Sequence, residues 1–209
     1  MCAHLAKLRY AVAALMVLGA GVAGAAHAED PAITNCTWCH GSGAQGYSPA
    51  PRLAGQRAPY LRGQLLRFRA HRRDAPTSRQ YMWSAADNLS DGRLRALADY
   101  FATLTSKPAM DGDATLVMRG RAIYQNGLPD ENIVACVACH GPEAQGVGAI
   151  PRLGGLSYDY LTRRLTDWKE GYNRDGATPM PHIAGTLSPD QAQALSSYLS
   201  FVHYAGVNK

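Results

Sequence analysis

Leu94, Leu97, Ala98, Phe101 and Leu104 recur at spacings of three and four in an otherwise polar segment, which predicts a helix burying one face. Leu195, Tyr198, Leu199 and Val202 repeat this pattern near the C-terminus. Ser90 is placed to cap the first helix. Ser188 caps the second, with Pro189 at the first helical position and Gln191 completing a capping box. Helical periods also run from Tyr60 to about Arg72, from Tyr158 to about Lys169, and from Ala114 to Gln125, where Gly120 allows close approach and Tyr124 faces the core. No run alternates as a strand does, so the chain reads as all-α. The segments between the helices are rich in Gly and Pro, and TSKPAMDGD, residues 105–113, reads as a linker.

The two halves match each other. CTWCHGSGAQGYSPAPRLAG (36–55) and CVACHGPEAQGVGAIPRLGG (136–155) share eleven of twenty positions at an offset of one hundred. Tyr60-Leu61 matches Tyr160-Leu161, and Leu65 matches Leu165. After the loss of two residues the frame MxxxAxxLS pairs 82–90 with 180–188. The repeat predicts two tandem domains, 29–107 and 108–209. Each has few large apolar side chains and buries too little by itself, so a large apolar ligand at its centre would complete the core.

Residues 1–28 read as a signal peptide: Lys7 and Arg9 precede an uncharged run, and Ala26-His27-Ala28 is a small-x-small cleavage pattern. The expected compartment is the periplasm, with an uncleaved membrane anchor as the alternative. The formal charge of +5 is uneven. Residues 29–107 hold eleven Lys/Arg against six Asp/Glu, whereas 108–209 hold eight against ten. Arg57, Arg62, Arg67, Arg69, Arg72, Arg73 and Arg79 lie in one stretch, which reads as a solvated face or as a surface steering an acidic partner. In an exported chain without an aromatic stacking pattern, that stretch does not point to nucleic acid.

Apart from Cys2, every cysteine lies in a CxxCH motif. Two thioethers one helical turn apart, with an imidazole beside the second, form the attachment signature of a c-type haem. Cys36, Cys39, Cys136 and Cys139 are therefore expected to hold two haems covalently, with His40 and His140 as proximal iron ligands. A zinc ion shared by the four cysteines or a redox dithiol is the competing reading, and neither explains the repeated histidine. The repeat singles out Met82 and Met180 as opposite axial ligands. Their rivals His71, His182 and His203 have no counterpart in the other half. Pro51 and Pro151 are candidates to offer the carbonyl that orients each ligating imidazole, and Arg52 and Arg152 to pair with propionates.

CTWCHG with CVACHG, AQG at 44 and 144, PRLAGQ with PRLGGL, and Met82 and Met180 ahead of LS and a helix make the chain resemble the dihaem class I cytochromes c, most closely the cytochrome c4 family. The resemblance implies two cytochrome c folds related by pseudo-two-fold symmetry, each wrapped around one covalently attached haem. It implies an electron carrier in the periplasm, serving redox partners such as a quinol-cytochrome c reductase or dehydrogenase on one side and a terminal oxidase or reductase on the other. The alternatives are a fixed electron-transfer subunit of a larger, membrane-associated oxidoreductase and a haem enzyme with one open iron site. Two departures stand out. Only Glu29 to Asn35 precede Cys36, too short for the usual leading helix and interrupted by Pro31, and GLPDENIVA (127–135) lengthens the approach to the second motif as a candidate partner-facing loop.

Overall fold

The computed structural model describes residues 30–203. The predicted signal peptide lies outside them. Among the described residues the structure is helical, with isolated β-bridges and no strand. Helix α1 (Pro31–His40) opens with Asp30 accepting from Ala32 N at 2.9 Å. Pro31, expected to interrupt a helix here, instead occupies its first turn, where a missing N–H costs nothing. The helix therefore runs directly into the first CxxCH, and its Ile33 joins the apolar cluster of Leu97, Ala98 and Phe101. Helix α2 (Ala58–Arg69) packs on α4 (Asp91–Thr103) and on the short α3 (Trp83–Asp87). On α4, Leu94, Leu97, Ala98 and Phe101 are buried, as their spacing predicts, and Ser90 caps Arg93 N.

The second domain repeats this plan with an added helix. A 3-10 turn, Ala114–Leu116, leads into α5 (Val117–Asn126); α6 (Val137–His140) bears the second motif; α7 (Tyr158–Lys169), α8 (Met180–Ala184) and α9 (Pro189–Phe201) follow. Ser188 and Gln191 form the predicted capping box. The most extensive helix pairing is α5 against α9, made possible by Gly120. A Cβ at that position would clash with the Ala194 carbonyl oxygen and stand 2.7 Å from Tyr198 Cβ. Because backbone cannot yield as a side-chain tip can, Gly120→Ala is expected to destabilise the second domain by about 3 kcal/mol. A denaturant titration monitored by helicity would show it. Tyr124 is fully buried and donates to Gly141 O at 2.5 Å, tying α5 to the end of the motif helix. No counterpart of α5 occurs in the first domain among the described residues.

The inserted segment 127–135 folds back on itself through a Leu128–Ile133 bridge and buries Ile133, while Val134 stays exposed. The linker is pinned rather than loose. Its Met110 N donates to Ser200 O, Gly112 N to Ser200 Oγ and Asp113 N to Ser197 Oγ, so the serines of α9 satisfy backbone donors that a polar linker would otherwise give to water.

The two domains meet through reciprocal contacts at the same offset of one hundred. Arg52 Nη1 donates to Gly155 O, and Arg152 Nε donates to Gly55 O at 3.0 Å. Tyr60 and Tyr160 lie close enough to interact, and Arg73 Nη2 reaches Tyr160 OH at 3.3 Å. These matched pairs are the local expression of the pseudo-two-fold relation.

Candidate functional site

Helical geometry places Cys36 and Cys39 one turn apart on α1, with His40 as its last residue. Gly41, at φ +82°, lets the chain turn back at once, and Gly46 N closes the loop onto His40 O at 2.9 Å. His140 and Gly141 repeat this arrangement at the end of α6. Both histidines are 5% exposed. Nδ1 of His40 lies 2.6 Å from Pro51 O, and Nδ1 of His140 lies 3.0 Å from Pro151 O. A carbonyl only accepts, so Nδ1 carries the proton and Nε2 keeps a free lone pair. Burial lowers both imidazole pKa values, against the opposing pull of the proline carbonyls, and so favours the neutral form that a metal requires.

In the first domain Cys36, Cys39, His40 and Met82 line one cavity of about 540 Å³, within the roughly 300–1,000 Å³ of cofactor sites. Leu61, Leu65, Phe68, Leu97 and Phe101 supply apolar walls. Arg52, Arg73, Tyr60, Gln64 and Tyr160 give it a polar end facing the other domain. Arg52 Nε and Arg73 Nε are buried there without a protein acceptor. A haem fits this donor set: its ring matches the apolar walls, its thioether positions match the cysteines, and its propionates match the unpaired guanidinium N–H groups. Met82 ends a π-helical turn, Ser78–Met82, a form that recurs where a side chain must be re-aimed. In the second domain Cys136 and Met180 pack against one apolar cluster that includes Ala144, Leu156, Leu161 and Leu165.

The Cys36 and Cys136 thiols are pushed up to about 11, chiefly by burial. They are poor thiolates at neutral pH, unlike a dithiol redox centre. Each pair belongs to its own domain, and among the described residues no three His, Cys, Asp or Glu side chains converge as a metal set.

Two sequence readings are extended. Arg52 and Arg152, candidates to pair with propionates, are buried and also spend donors on the opposite domain: Arg52 bonds Gly155 O, and Arg152 bonds Gly55 O and Ala54 O as well as Gly154 O within its own domain. The arginine stretch is not one face. Arg67 pairs with Asp175, Arg69 with Asp91, Arg79 bonds Asp74 O, and Arg73 is buried at the interface near Tyr160 OH, at 3.3 Å. Arg62 and Arg72 remain exposed. Arg73 and the tyrosine pair are site residues that the motif reading left unassigned. The repeat already flagged Tyr60 and Tyr160, but Arg73 corresponds to Asn173 and gave no signal. Of the rival ligands, His71 stacks on Trp83 at 4.1 Å and bonds Asp87, His182 lies exposed on α8, and His203 is exposed beyond α9.

The cytochrome c family model matches residues 22–105 and again 117–202. Cytochrome c4 of Pseudomonas aeruginosa is 36% identical over 201 residues, covering 90% of this chain and 96% of that protein. The thiosulfate dehydrogenase electron acceptor of Stutzerimonas stutzeri is 39% identical over 182 residues, covering 83% of this chain and 81% of that one. Among solved structures, the cytochrome c4 of Acidithiobacillus ferrooxidans superimposes with a TM-score of 0.70 at 34% identity, covering 80% of this chain and 99% of that chain.

Proposed function

The chain belongs to the cytochrome c family, in its two-domain cytochrome c4 branch, and on that footing we propose that it is a periplasmic carrier taking electrons from a dehydrogenase or quinol-cytochrome c reductase and giving them to a terminal oxidase or reductase. Electron transfer through two c-type haems is the function its relatives share. The finer assignment rests on one observation: each domain buries a histidine whose Nδ1 is held by a proline carbonyl, with Met82 lining the cavity of His40 in the first domain and Met180 packed on the apolar cluster of the second. Cys36, Cys39, Cys136 and Cys139 would hold the haems, with His40 and Met82, and His140 and Met180, as axial ligands. When bound, haem supplies a one-electron Fe(II)/Fe(III) couple, which thioether ligation sets at a high potential.

The protein's own contribution is to fix tautomer, exclude water and present an edge. The two proline carbonyls prevent ring rotation of the histidines. Leucine and phenylalanine side chains keep the site dry. Export is supported by the leader at residues 1–28. Among the described residues, no helix is long and apolar enough to cross a membrane.

Partner contact is best served by the first domain beside its motif, where Trp38 is 79% exposed and Tyr47 53%, the Tyr47 hydroxyl donating to Trp38 O. Val147 takes the place of Tyr47 in the second domain, and Ala138 that of Trp38. Because most of the arginine stretch is paired internally, docking is expected to depend more on this aromatic edge than on salt. Stopped-flow reduction by a thiosulfate dehydrogenase or a quinol-cytochrome c reductase tests the carrier reading. Fast second-order reduction should fall at least about tenfold in Trp38→Ala, the usual scale for an aromatic anchor. Failure of every dehydrogenase and reductase partner, with oxidation of a small substrate instead, would point to an enzyme.

A further inference from the structure

The segment that delivers Met180 is held from outside its own domain. Between α7 and α8 the chain runs from Glu170 to Pro179, with Gly171 and Gly176 at positive φ and residues 174–177 exposed. Within the second domain this segment is tied at its start by Glu170 N to Thr166 O, Gly171 N to Trp168 O and Tyr172 N to Asp167 O, and beyond that only by three longer bonds, Arg174 Nη2 to Trp168 O, Ala177 N to Asp175 Oδ1 and Met180 N to Thr178 Oγ1, each at 3.3 Å. The first domain adds two stronger ones. Asp74 Oδ1 accepts from Asn173 N at 2.7 Å. Arg67 grips Asp175 with two parallel bonds, Nε to Oδ2 at 2.9 Å and Nη2 to Oδ1 at 2.6 Å, and the two side chains are only 11% and 15% exposed. Asn173 itself is 1% exposed.

The segment that delivers Met82 is held differently. His71 stacks on Trp83 and bonds Asp87, Trp83 Nε1 donates to Arg73 O at 2.9 Å, and Arg79 lies over the Trp83 ring while bonding Asp74 O. Every partner here belongs to the first domain. The matching positions in the second domain are Gly171 for His71, Pro181 for Trp83 and Gly185 for Asp87, so this internal brace has no equivalent there.

We propose that Arg67 and Asp74 of the first domain are positioning residues for Met180, holding the thioether of the second domain in place across the domain boundary. The proposal rests on the reading of Met180 as an axial ligand. Its physical basis is that an external ligand reaches a closed iron only when the thioether swings away, a local opening whose frequency falls with each anchor on the segment. A bidentate arginine–carboxylate pair is among the strongest such anchors. Loosening the domain contact therefore opens the second site and leaves the first closed.

The test is imidazole uptake by the oxidised holoprotein, followed through loss of the far-red sulfur-to-iron band, with Met82→Ala and Met180→Ala used to assign each haem's share of that band. Arg67→Ala and Asp175→Ala should each speed uptake at the second haem by about tenfold, the scale of one charge-assisted hydrogen-bonded pair, with the first haem unchanged. The swapped pair Arg67→Asp with Asp175→Arg should restore slow uptake, a rescue that general destabilisation would not give. Arg69→Ala, which breaks an ion pair confined to the first domain, should leave the second haem's rate alone. Unchanged uptake in both single variants, or equal acceleration at both haems, overturns the proposal. If Met180→Ala leaves both bands intact, the ligand assignment itself has failed, which is a different outcome.

Discussion

Cys136→Ala combined with Cys139→Ala is expected to give a protein carrying one haem instead of two, with a second domain that no longer folds cooperatively. The buried cluster of that domain holds only ten large side chains, Ile123, Tyr124, Leu161, Leu165, Leu195 and Leu199 among them, and four alanines. A domain of about a hundred residues with so thin a core is marginal without an added apolar centre. Thioether attachment makes that centre permanent. Its loss would remove the apolar centre that Met180 and the cluster around Leu161 and Leu165 would enclose. Iron per chain should fall by half, intact mass should drop by one haem, and limited proteolysis should cut within 114–203 while the first domain survives. Retention of two haems by the double variant would show that these cysteines are not the attachment points.

Arg152→Ala is expected to be the most damaging single substitution at the domain boundary. The side chain is 2% exposed and donates to Gly55 O, Ala54 O and Gly154 O, so its removal strands three buried carbonyls. Burial and the neighbouring Arg52 pull its pKa down to about 10, so it is charged at neutral pH and its burial already carries a cost. That cost offsets part of the gain. The net loss on truncation is about 3 kcal/mol, near the low end for breaking a buried charged network. For a chain of this size that lowers the unfolding midpoint by roughly 6–12 °C. Arg152→Lys should rescue little, because one ammonium cannot reach three divergent carbonyls as a planar guanidinium does. A midpoint unchanged by Arg152→Ala, measured by calorimetry, would contradict this role.

What the sequence revealed followed from what repeats. Helices α2, α4, α7 and α9 were legible because their buried faces recur at helical spacing, and α4 and α9 also because their caps are single serines acting locally. The attachment motifs and the paired methionine frames were legible because each occurs twice. Pro31 was misread because a proline is a breaker or a starter according to what caps it, and Asp30 supplies that cap. The arginine stretch was misread for a related reason: linear density says nothing about partners such as Asp175, over one hundred residues away. Arg73 and the clamp on Asp175 lie where the two halves differ, so a reading built on their likeness passed over them.

As an electron relay the chain would carry two haems, each closed by a histidine and a methionine. Optical spectra of the purified holoprotein, oxidised and reduced, with and without carbon monoxide and scored per haem, test it directly. A far-red sulfur-to-iron band from both oxidised haems, and no carbon monoxide binding by either reduced haem, is the expected result. One haem that lacks the band and binds carbon monoxide would contradict symmetric ligation by Met82 and Met180, and would make that domain the seat of a reaction rather than a relay.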